Sequence, residues 1–451
     1  MKSLALILAS VALLSAQSVH SYGPDHIWWD AGQGGILPWE ESYDNPAGEV
    51  SIVNTTSAIR TDGHPFFTSL GTNGRACVTC HQPSNAMSVS AEAVRGRWKE
   101  TEGKDPIFAA VDGSNCPNLP QSAPESHSLL LQYGLFRIAI PVPSKAEFHI
   151  EVVRDPTGCN TSPLYGLNST NPAVSVYRRP RIAANMKYVI GELDGLNFMA
   201  DAREPSLTSQ ATNAALIHEQ AAAPPTTEQL LRIVEFETQI FTAQSSDRRG
   251  GLLNESDGPA VLGPQNLATG KAASLGSSQA PPTFEVWKKT GDQGDLGLQR
   301  EFRASVSRGS EVFFSRQFKV RGREGAVTCA TCHSPGAARS FDIGTTNLPE
   351  AKESKELPLF KVTCDATAAP HPVLGRVIYT QDPGRALITG KCADVGSIVI
   401  QQFRGLAARA PYFSNGSAPD MRFLVEFYNV NFGIGYTEQE KQDLVNFLSV
   451  L

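Results

Sequence analysis

Two short cysteine–histidine boxes constrain this chain more than any other feature of its sequence. The first box reads Cys77-Val78-Thr79-Cys80-His81, and the second reads Cys329-Ala330-Thr331-Cys332-His333. Two residues between paired cysteines match the spacing of the two vinyl groups of a haem, and the adjoining histidine can ligate the haem iron. The boxes therefore predict two covalently bound haem c groups, with the two histidines as iron ligands.

Two other kinds of site also use paired cysteines. A zinc ribbon needs sulfur or nitrogen ligands, but it gives no reason for a histidine directly after each pair. A thioredoxin-type redox site needs a surrounding βαβ pattern, and the sequence shows none around either box. Covalent haem accounts for both the cysteines and the histidines, so it is the main prediction.

The length, the net charge and the N-terminal residues of the chain limit the classes of protein to which it can belong. The chain has 451 residues, enough for two or three domains with their own cores. Its net charge of −6 indicates neither a nucleic acid partner nor an anionic membrane partner. Lys2 and the apolar run Leu4–Leu14 predict a signal peptide over residues 1–21, and no segment predicts a membrane span. We therefore expect a periplasmic or secreted protein, in agreement with haem attachment outside the cytoplasm.

The remaining cysteines point to the same oxidising environment. Four of the eight cysteines lie outside the two boxes, and an even remainder in an exported protein favours disulfide bonds. Proximity in sequence favours the pairs Cys116–Cys159 and Cys364–Cys392. The alternative is four free, buried thiols.

An internal duplication organises the chain. The aromatic pair Phe66-Phe67 precedes the first box and Phe313-Phe314 precedes the second, each followed by a glycine-containing turn. A helix that ends in an aromatic pair against the haem would explain both. The expected fold is mainly α-helical, with two cytochrome-c-like haem domains and a small β-hairpin insertion.

Local patterns supply the expected elements and boundaries. Within the insertion, about residues 116–159, the segments Phe136–Ile140 and Phe148–Val152 alternate with period two and predict the hairpin. Apolar residues at helical spacing predict a helix over Thr226–Phe241, and a capping box predicts another after Thr437. The predicted domains are an N-terminal, peroxidatic haem domain at 22–243, a glycine- and proline-rich linker at 244–295, and a C-terminal haem domain at 296–451.

The duplication continues beyond the boxes, between Phe198–Leu207 in the first half and Tyr412–Met421 in the second. Setting Asp201 against Asn415 places Ala214 opposite Tyr428, each thirteen residues further on. If these segments cross the distal faces of the haems, one iron meets a methyl group and the other meets a phenol. The first iron would be open to a small oxidant, which is more typical of an enzyme than of an electron carrier.

The chain resembles the di-haem bacterial cytochrome c peroxidase superfamily, and within it the MauG-like branch, from about residue 63 to residue 451. The resemblance rests on both boxes, on Asp201–Leu207 with Gln210, and on Arg404–Ser417 followed by Phe427-Tyr428. Standard peroxidases of the family have methionine where Tyr428 stands, whereas MauG has tyrosine. The resemblance therefore implies Tyr428 as a ligand of the second haem iron, where an anionic phenolate stabilises a higher oxidation state.

The resemblance also implies a distal pocket at the first haem. Gln210 matches the family's distal glutamine, but Gln220 stands where the family has the glutamate that moves protons. A glutamine cannot shuttle a proton, so His218 or Glu219 must substitute, and His218 has the better-matched pKa. Ala200 stands where the family has a tryptophan between the haems, which puts aromatic relay between the irons in doubt.

Further implications concern charge and metal. Arg404 and Arg409 either neutralise haem propionates or cap helices. The resemblance places an interhaem calcium near Val399–Arg404, but this segment departs from the family's Thr/Pro pattern, so calcium stays an option without support from the sequence. Histidine is absent from the residues that follow His81 closely, so the first haem is expected to be open from the start.

We therefore expect an exported di-haem oxidoreductase that reduces hydrogen peroxide at the first haem. The electron donor would be a small cytochrome or a cupredoxin, and its electrons would pass through the Tyr428-ligated haem. Two alternatives stay open. One is MauG-like or oxygenase-type oxidation of a protein or organic substrate, and the other is a non-enzymatic di-haem electron carrier.

Overall fold

The computed structural model describes most of the chain, over residues 28–190, 198–270, 282–288, 297–322, 324–333, 343–345, 354–399 and 401–451. The predicted signal peptide, residues 1–21, lies outside the described residues. Parts of the predicted linker, including 271–281, also lie outside them.

Both helices and strands run through the described residues. The helices, in chain order, are α1 (Cys77–Cys80), α2 (Ala91–Thr101), α3 (Ser128–Tyr133), α4 (Met186–Ile190), α5 (Leu207–Ile217), α6 (Thr227–Gln239), α7 (Pro264–Ala268), α8 (Gly297–Ser315), α9 (Cys329–Cys332), α10 (Ala386–Thr389), α11 (Met421–Phe432) and α12 (Glu438–Ser449). The strands are β1 (Ile36–Leu37), β2 (Glu40–Asp44), β3 (Gly48–Asn54), β4 (Ile59–Arg60), β5 (Phe136–Pro141), β6 (Phe148–Arg154), β7 (Ala173–Arg178), β8 (Ile240–Asp247), β9 (Gly251–Leu252), β10 (Ile343–Thr345), β11 (Leu359–Cys364), β12 (Val377–Thr380) and β13 (Ser397–Val399).

The prediction of a mainly α-helical fold is wrong. Helices account for 34% of the described structure and strands for 18%, and the strands form several sheets. The largest described sheet has the order β2-β3-β8-β9, in which Ser51 of β3 pairs with Ala243 of β8. Pairing between segments so far apart in sequence leaves no local pattern that could be recognised, because a strand's stability comes from its neighbours.

The predicted β-hairpin is also wrong in its pairing. Both segments are strands, but β5 pairs with β7 rather than with β6. Strand β6 pairs instead with β11 from the second half, where Ile150 lies opposite Val362. The sheet β12-β11-β6 buries Phe360, Val362 and Ile150 on one face, and this shared core outweighs the short connection that favoured a hairpin.

Helices near the C-terminus form the second main core. Helix α8 carries Phe313 and Phe314 at its end, as predicted, and packs closely on α12. A Cβ atom at Gly309 of α8 would lie 2.0 Å from the carbonyl oxygen of Asp443, so only glycine permits this approach. Helix α12 begins with the predicted capping box, in which Thr437 and Glu440 each bond the other's backbone N–H.

The segment before the first box differs in structure from the segment before the second box. Phe66 and Phe67 lie in a turn rather than at the end of a helix. Both rings pack on Phe236 of α6, with ring centroids 4.4 and 5.2 Å away. Full burial of such rings contributes about 1.5–3 kcal/mol each, so this cluster anchors α6 beneath the first box.

Two cysteine pairs lie at disulfide distance. The Cα atoms of Cys116 and Cys159 are 5.3 Å apart, and those of Cys364 and Cys392 are 5.7 Å apart. These are the pairs that sequence proximity favours. Cys364 ends β11, so one pair ties the shared sheet to the segment that follows α10.

The predicted linker contains regular structure where it is described. Its first residues complete β8, and α7 follows at Pro264–Ala268. The domain boundaries at 243 and 295 stay a prediction. Among the described residues, no helix combines the length and apolar character needed to cross a membrane.

Candidate active site

The two boxes fold alike. Each pair of cysteines opens and closes a single helical turn, α1 or α9, and the histidine follows directly. The threonine inside each box accepts a hydrogen bond from the backbone N–H before the turn: Thr79 from Ala76 at 3.1 Å and Thr331 from Thr328 at 2.9 Å. This contact caps the turn, so the threonine common to the two boxes has a structural role.

The first box opens into a cavity of about 360 Å³, which we call the first cavity. Its lining brings together seven residues that the sequence singles out: Cys77, Cys80, His81, Gln210, Ala214, His218 and Glu219. The cavity therefore joins the predicted haem-binding side chains to the predicted catalytic ones. Their chemical roles stay a prediction.

Helix α5 positions the predicted distal residues. Ser206 accepts a hydrogen bond from the Ser209 backbone N–H and begins the helix, which ends at Ile217 with His218 as its cap. Gln210, Ala214 and His218 follow one another at intervals of four residues, so they lie on one face of α5. The small side chain of Ala214 leaves room between the two polar groups.

Hydrogen bonding favours one tautomer of His81. Its Nδ1 lies 3.0 Å from the carbonyl oxygen of Met87. A carbonyl oxygen only accepts hydrogen bonds, so Nδ1 carries the proton and the Nε2 lone pair is left for a metal. Burial lowers the pKa of His81, which keeps the imidazole in the neutral form that a metal requires.

His218 is oriented by a buried carboxylate that sequence reasoning missed. Its Nδ1 lies 2.5 Å from Oδ2 of Asp112, and the other Asp112 oxygen pairs with the buried Arg75. Burial acts to raise the pKa of Asp112, but the Arg75 charge and the His218 hydrogen bond overcome it and hold the pKa below its usual range. Asp112 is therefore ionised, which leaves Nε2 of His218 free to accept a proton.

The loop before the first box holds Glu219 in the cavity. The Leu70 backbone N–H donates to Oε2 of Glu219 at 2.9 Å, and the Thr72 N–H donates to its carbonyl oxygen at 3.1 Å. A Cβ atom at Gly71 would collide with that carbonyl oxygen, so the approach requires glycine. Burial raises the pKa of Glu219 to about 7, despite the donors around it.

Gln220, which stands at the family's glutamate position, lies outside the first cavity. It is exposed, its φ is +55°, and its side chain accepts a hydrogen bond from Asn73 at 3.3 Å. The left-handed backbone turns the chain so that Glu219 points inward and Gln220 points outward. The cavity thus contains the Glu219 carboxyl group, one residue before position 220, where the resemblance implies a glutamate.

The second box opens into a larger cavity of about 1000 Å³, the second cavity. Cys329, Cys332 and His333 line it together with Tyr428 of α11. The rings of His333 and Tyr428 have centroids 6.3 Å apart, and Tyr428 also stacks on Phe432. The predicted histidine and tyrosine ligands therefore belong to the same cavity.

Three polar residues and one valine form the wall between the two cavities. Arg179, Val399, Gln401 and Gln402 line both of them. Ala200 lies next to this wall, where its carbonyl oxygen accepts a hydrogen bond from the Val399 N–H at 2.8 Å. Amides and a guanidinium group thus line the wall beside Ala200.

Two buried arginines favour an anion beside the cavities. Arg179 donates to the carbonyl oxygens of Val89 and Tyr133, and Arg409 donates to that of Gln402. Burial and the neighbouring Arg409 charge lower the pKa of Arg179 to about 9, and burial lowers that of Arg409 to about 10. Carbonyl dipoles offset these charges only in part, so a carboxylate ligand would be stabilised here.

Arg404 lies apart from both cavities. Its side chain is fully buried and donates to the carbonyl oxygen of Val261 at 2.7 Å. It belongs to neither cavity lining. A role for Arg404 in binding the propionates therefore stays a prediction, and Arg179 and Arg409 are better placed.

The backbone oxygens of Val399, Gln402 and Arg404 are poorly suited to a calcium ion. Arg181 donates to the Val399 carbonyl oxygen at 2.7 Å, and Arg409 donates to those of Gln402 and Arg404. These guanidinium groups use the oxygen atoms that calcium would need and place positive charge beside them. Across the described parts of the chain, no group of three or more His, Cys, Asp or Glu side chains could hold a metal ion.

The donor set of each cavity fits covalent haem. The four box cysteines are outside the disulfides, and each pair lies on one helical turn with a histidine after it. The first cavity adds an imidazole whose pKa is lowered by burial, and both cavities adjoin buried guanidinium groups that suit propionates. Structural zinc does not fit, because the described side chains form no such cluster of ligands.

No family model matches the chain. It is similar to two curated proteins from Denitromonas iodatirespirans. It is 24% identical to the cytochrome-c peroxidase IdrP1 over 192 residues, which cover 40% of this chain and 48% of IdrP1. It is 28% identical to the cytochrome-c peroxidase IdrP2 over 130 residues, which cover 27% of this chain and 35% of IdrP2. The chain thus spans half or less of the length of these relatives, and its similarity is to part of the cytochrome-c peroxidases.

Proposed function

We propose that this chain is an exported di-haem c-type oxidoreductase that reduces hydrogen peroxide in its first cavity. One observation carries the proposal: the box Cys77–His81 shares a cavity with Gln210, Glu219 and an Asp112-oriented His218. The partial similarity to two cytochrome-c peroxidases supports the same reaction class. A periplasmic or secreted location agrees with the pairs of cysteines at disulfide distance.

Cys77, Cys80 and His81 would hold the first haem, and Cys329, Cys332, His333 and Tyr428 would hold the second. The bound haem supplies the electron transfer that peroxide reduction requires. Arg179 and Arg409 would offset the charge of the propionates. The overall reaction consumes one peroxide molecule, two electrons and two protons, and it yields two water molecules.

The protein's own residues handle the protons. His218 would accept a peroxide proton at Nε2 and return it to the departing oxygen, while Asp112 stabilises the imidazolium that forms. Gln210 lies four residues, or about one helical turn, before Ala214 on α5, and it would orient the peroxide through its side-chain amide. Glu219, with a pKa of about 7, is able to exchange protons near neutral pH.

Electron paramagnetic resonance of the oxidised, haem-loaded protein tests this proposal. We expect one high-spin and one low-spin ferric signal, and we expect both to be lost after stoichiometric peroxide. Turnover with peroxide and a reduced small cytochrome or cupredoxin would then identify the donor class. Two low-spin signals that ignore peroxide would mean that both irons are capped, and the chain would be an electron carrier.

A second function is MauG-like or oxygenase-type oxidation of a protein or organic substrate. The observation in its favour is Tyr428, whose ring lies beside His333 in the second cavity. A phenolate ligand lowers the haem potential and favours storage of oxidising equivalents over rapid electron delivery. Oxygen consumption with a substrate, or oxidation of a protein by peroxide without an external donor, would separate this function from the first.

A further inference from the structure

Glu237 is a buried carboxyl group in the first cavity that the proposed reaction leaves unused. It lies near the end of α6, its side chain is 6% exposed, and it lines the cavity with Cys77 and Ile233. Its Oε2 atom is buried without a hydrogen-bond partner among the described residues. Buried carboxyl groups normally have partners, so a bare one at a cofactor cavity needs an explanation.

The groups around Glu237 leave its charge uncompensated. The titratable and charged residues on α6 itself, on α4 and in the neighbouring loop and cavity segments include His64, Cys77, Lys187, Tyr188, His218, Glu219, Glu228, Arg232 and Glu235. Among the described residues, burial alone raises the pKa of Glu237, to about 8. Attachment of haem would convert the Cys77 thiol to a thioether, which does not ionise, so Cys77 would add no negative charge near Glu237.

We propose that Glu237 takes up a proton when the haem held by Cys77, Cys80 and His81 accepts an electron. The inference rests on the proposed function, because it requires haem in the first cavity. One electron from a reduced small redox protein converts ferric to ferrous iron. One proton from solvent converts the Glu237 carboxylate to the acid, so the net charge of the cavity is unchanged.

Electrostatics gives the reason for this coupling. In a cavity of low dielectric constant, a ferric centre favours a nearby carboxylate, and loss of that positive charge on reduction favours the neutral acid. Asp112 is unsuited to this role, because Arg75 keeps it ionised. Glu219 accepts a hydrogen bond from the Leu70 N–H, which favours its ionised form, whereas Oε2 of Glu237 has no such donor.

A redox titration of the haem-loaded full chain at several pH values tests the proposal. We expect the midpoint potential of the first haem to fall as pH rises. The fall should approach a tenfold change in the reduction equilibrium per pH unit, or about 59 mV. In Glu237→Gln, whose amide resembles the neutral acid in shape and charge, the potential should not depend on pH.

Two variants and one spectrum sharpen the result. Glu235→Gln removes an exposed carboxylate from the same helix and should keep the wild-type slope. Reduction of the wild type should produce an infrared band of a protonated carboxyl group, and Glu237→Gln should lack this band. A slope that persists in Glu237→Gln, or one that is lost in Glu219→Gln instead, would overturn the proposal.

Intact mass separates this inference from the proposed function. A mass that lacks the first haem would contradict the proposed function, and the present inference with it. Two covalent haems together with a pH-independent wild-type potential would contradict only the role of Glu237.

Discussion

Oδ2 of Asp112 lies 2.5 Å from Nδ1 of His218, although 106 residues separate the two in sequence. The same carboxylate pairs with Arg75, two residues before the first haem box. Asp112 therefore connects the residue that would move protons to the segment that would hold the cofactor. The Asp112 carboxylate thus bridges His218 and Arg75.

Asp112→Asn should lower kcat/KM for peroxide about 100-fold and change its pH profile. An asparagine NH₂ can donate to Nδ1 and select the wrong His218 tautomer, and general acid–base catalysis typically contributes about 10²–10⁴-fold. Steady-state kinetics across pH measures the effect. Because Asp112 acts through His218, the substitution should add little in a His218→Asn background.

Asp105→Asn is the matched control for loss of a buried aspartate–arginine pair. Asp105 is 6% exposed and binds Arg97 at 2.5 Å, but it lies outside the first cavity. The Asp105→Asn protein should be less stable than the wild type and should keep the wild-type kcat/KM for peroxide. Equal losses of activity in both aspartate variants would mean that Asp112 supports the fold rather than His218.

Tyr428→Phe should convert the second haem from six-coordinate to five-coordinate. The substitution removes the phenol oxygen and keeps the ring that packs on Phe432 and Phe413. The measurement is the loss of the low-spin ferric signal in electron paramagnetic resonance. Tyr436→Phe, in the same cavity, should leave the spectrum unchanged, and an unchanged spectrum in Tyr428→Phe would remove Tyr428 from the ligand set.

Stability should fall as pH rises from about 5 to about 8. Burial raises the pKa of Glu219 to about 7 and that of Glu237 to about 8, so between the unfolded pKa and these values the folded state binds more protons than the unfolded state. Each group then contributes a decrease of about 1.4 kcal/mol per pH unit, which ends above its folded pKa. Urea unfolding of the haem-loaded protein in its reduced state, in which Glu237 is proposed to hold its proton, should show a weaker pH dependence in Glu219→Gln.

Calcium should neither stabilise the protein nor alter its haem spectra. Arg181 and Arg409 donate to the backbone oxygens of Val399, Gln402 and Arg404, which a calcium ion near this segment would need. Thermal unfolding and haem spectra should be equal with added calcium and with a calcium chelator. A calcium-dependent rise in the unfolding temperature would show that these guanidinium groups move aside.

The sequence predicted local structure best where a motif consists of residues that are close together in the chain. Both boxes and the Thr437 cap are short motifs, and their local structure is as expected. The pairs Cys116–Cys159 and Cys364–Cys392 could be proposed because each half holds one pair. Gln210 and His218 share a helix face because of a spacing that can be read directly from the sequence.

Contacts between distant segments could not be predicted in this way. Asp112 precedes Gly113 in a stretch without periodicity, where an Asp-Gly pair reads as an ordinary turn. Strands β3 and β6 have partners far along the chain, and the short connection between β5 and β6 favoured the wrong pairing. Glu237 occupies one position of an amphipathic helix, and only burial against the cavity distinguishes it from its neighbours.

The pairing of β6 with β11 makes each half of the chain a structural component of the other. Without Leu359–Cys364, strand β6 would lose the strand it pairs with among the described residues, and Phe148 and Ile150 would lose Phe360 and Val362 from their shared core. Open apolar edges promote association between chains. We therefore expect a gene divided within residues 244–295 to yield two aggregation-prone polypeptides, so the two halves have to be made and studied as one intact molecule.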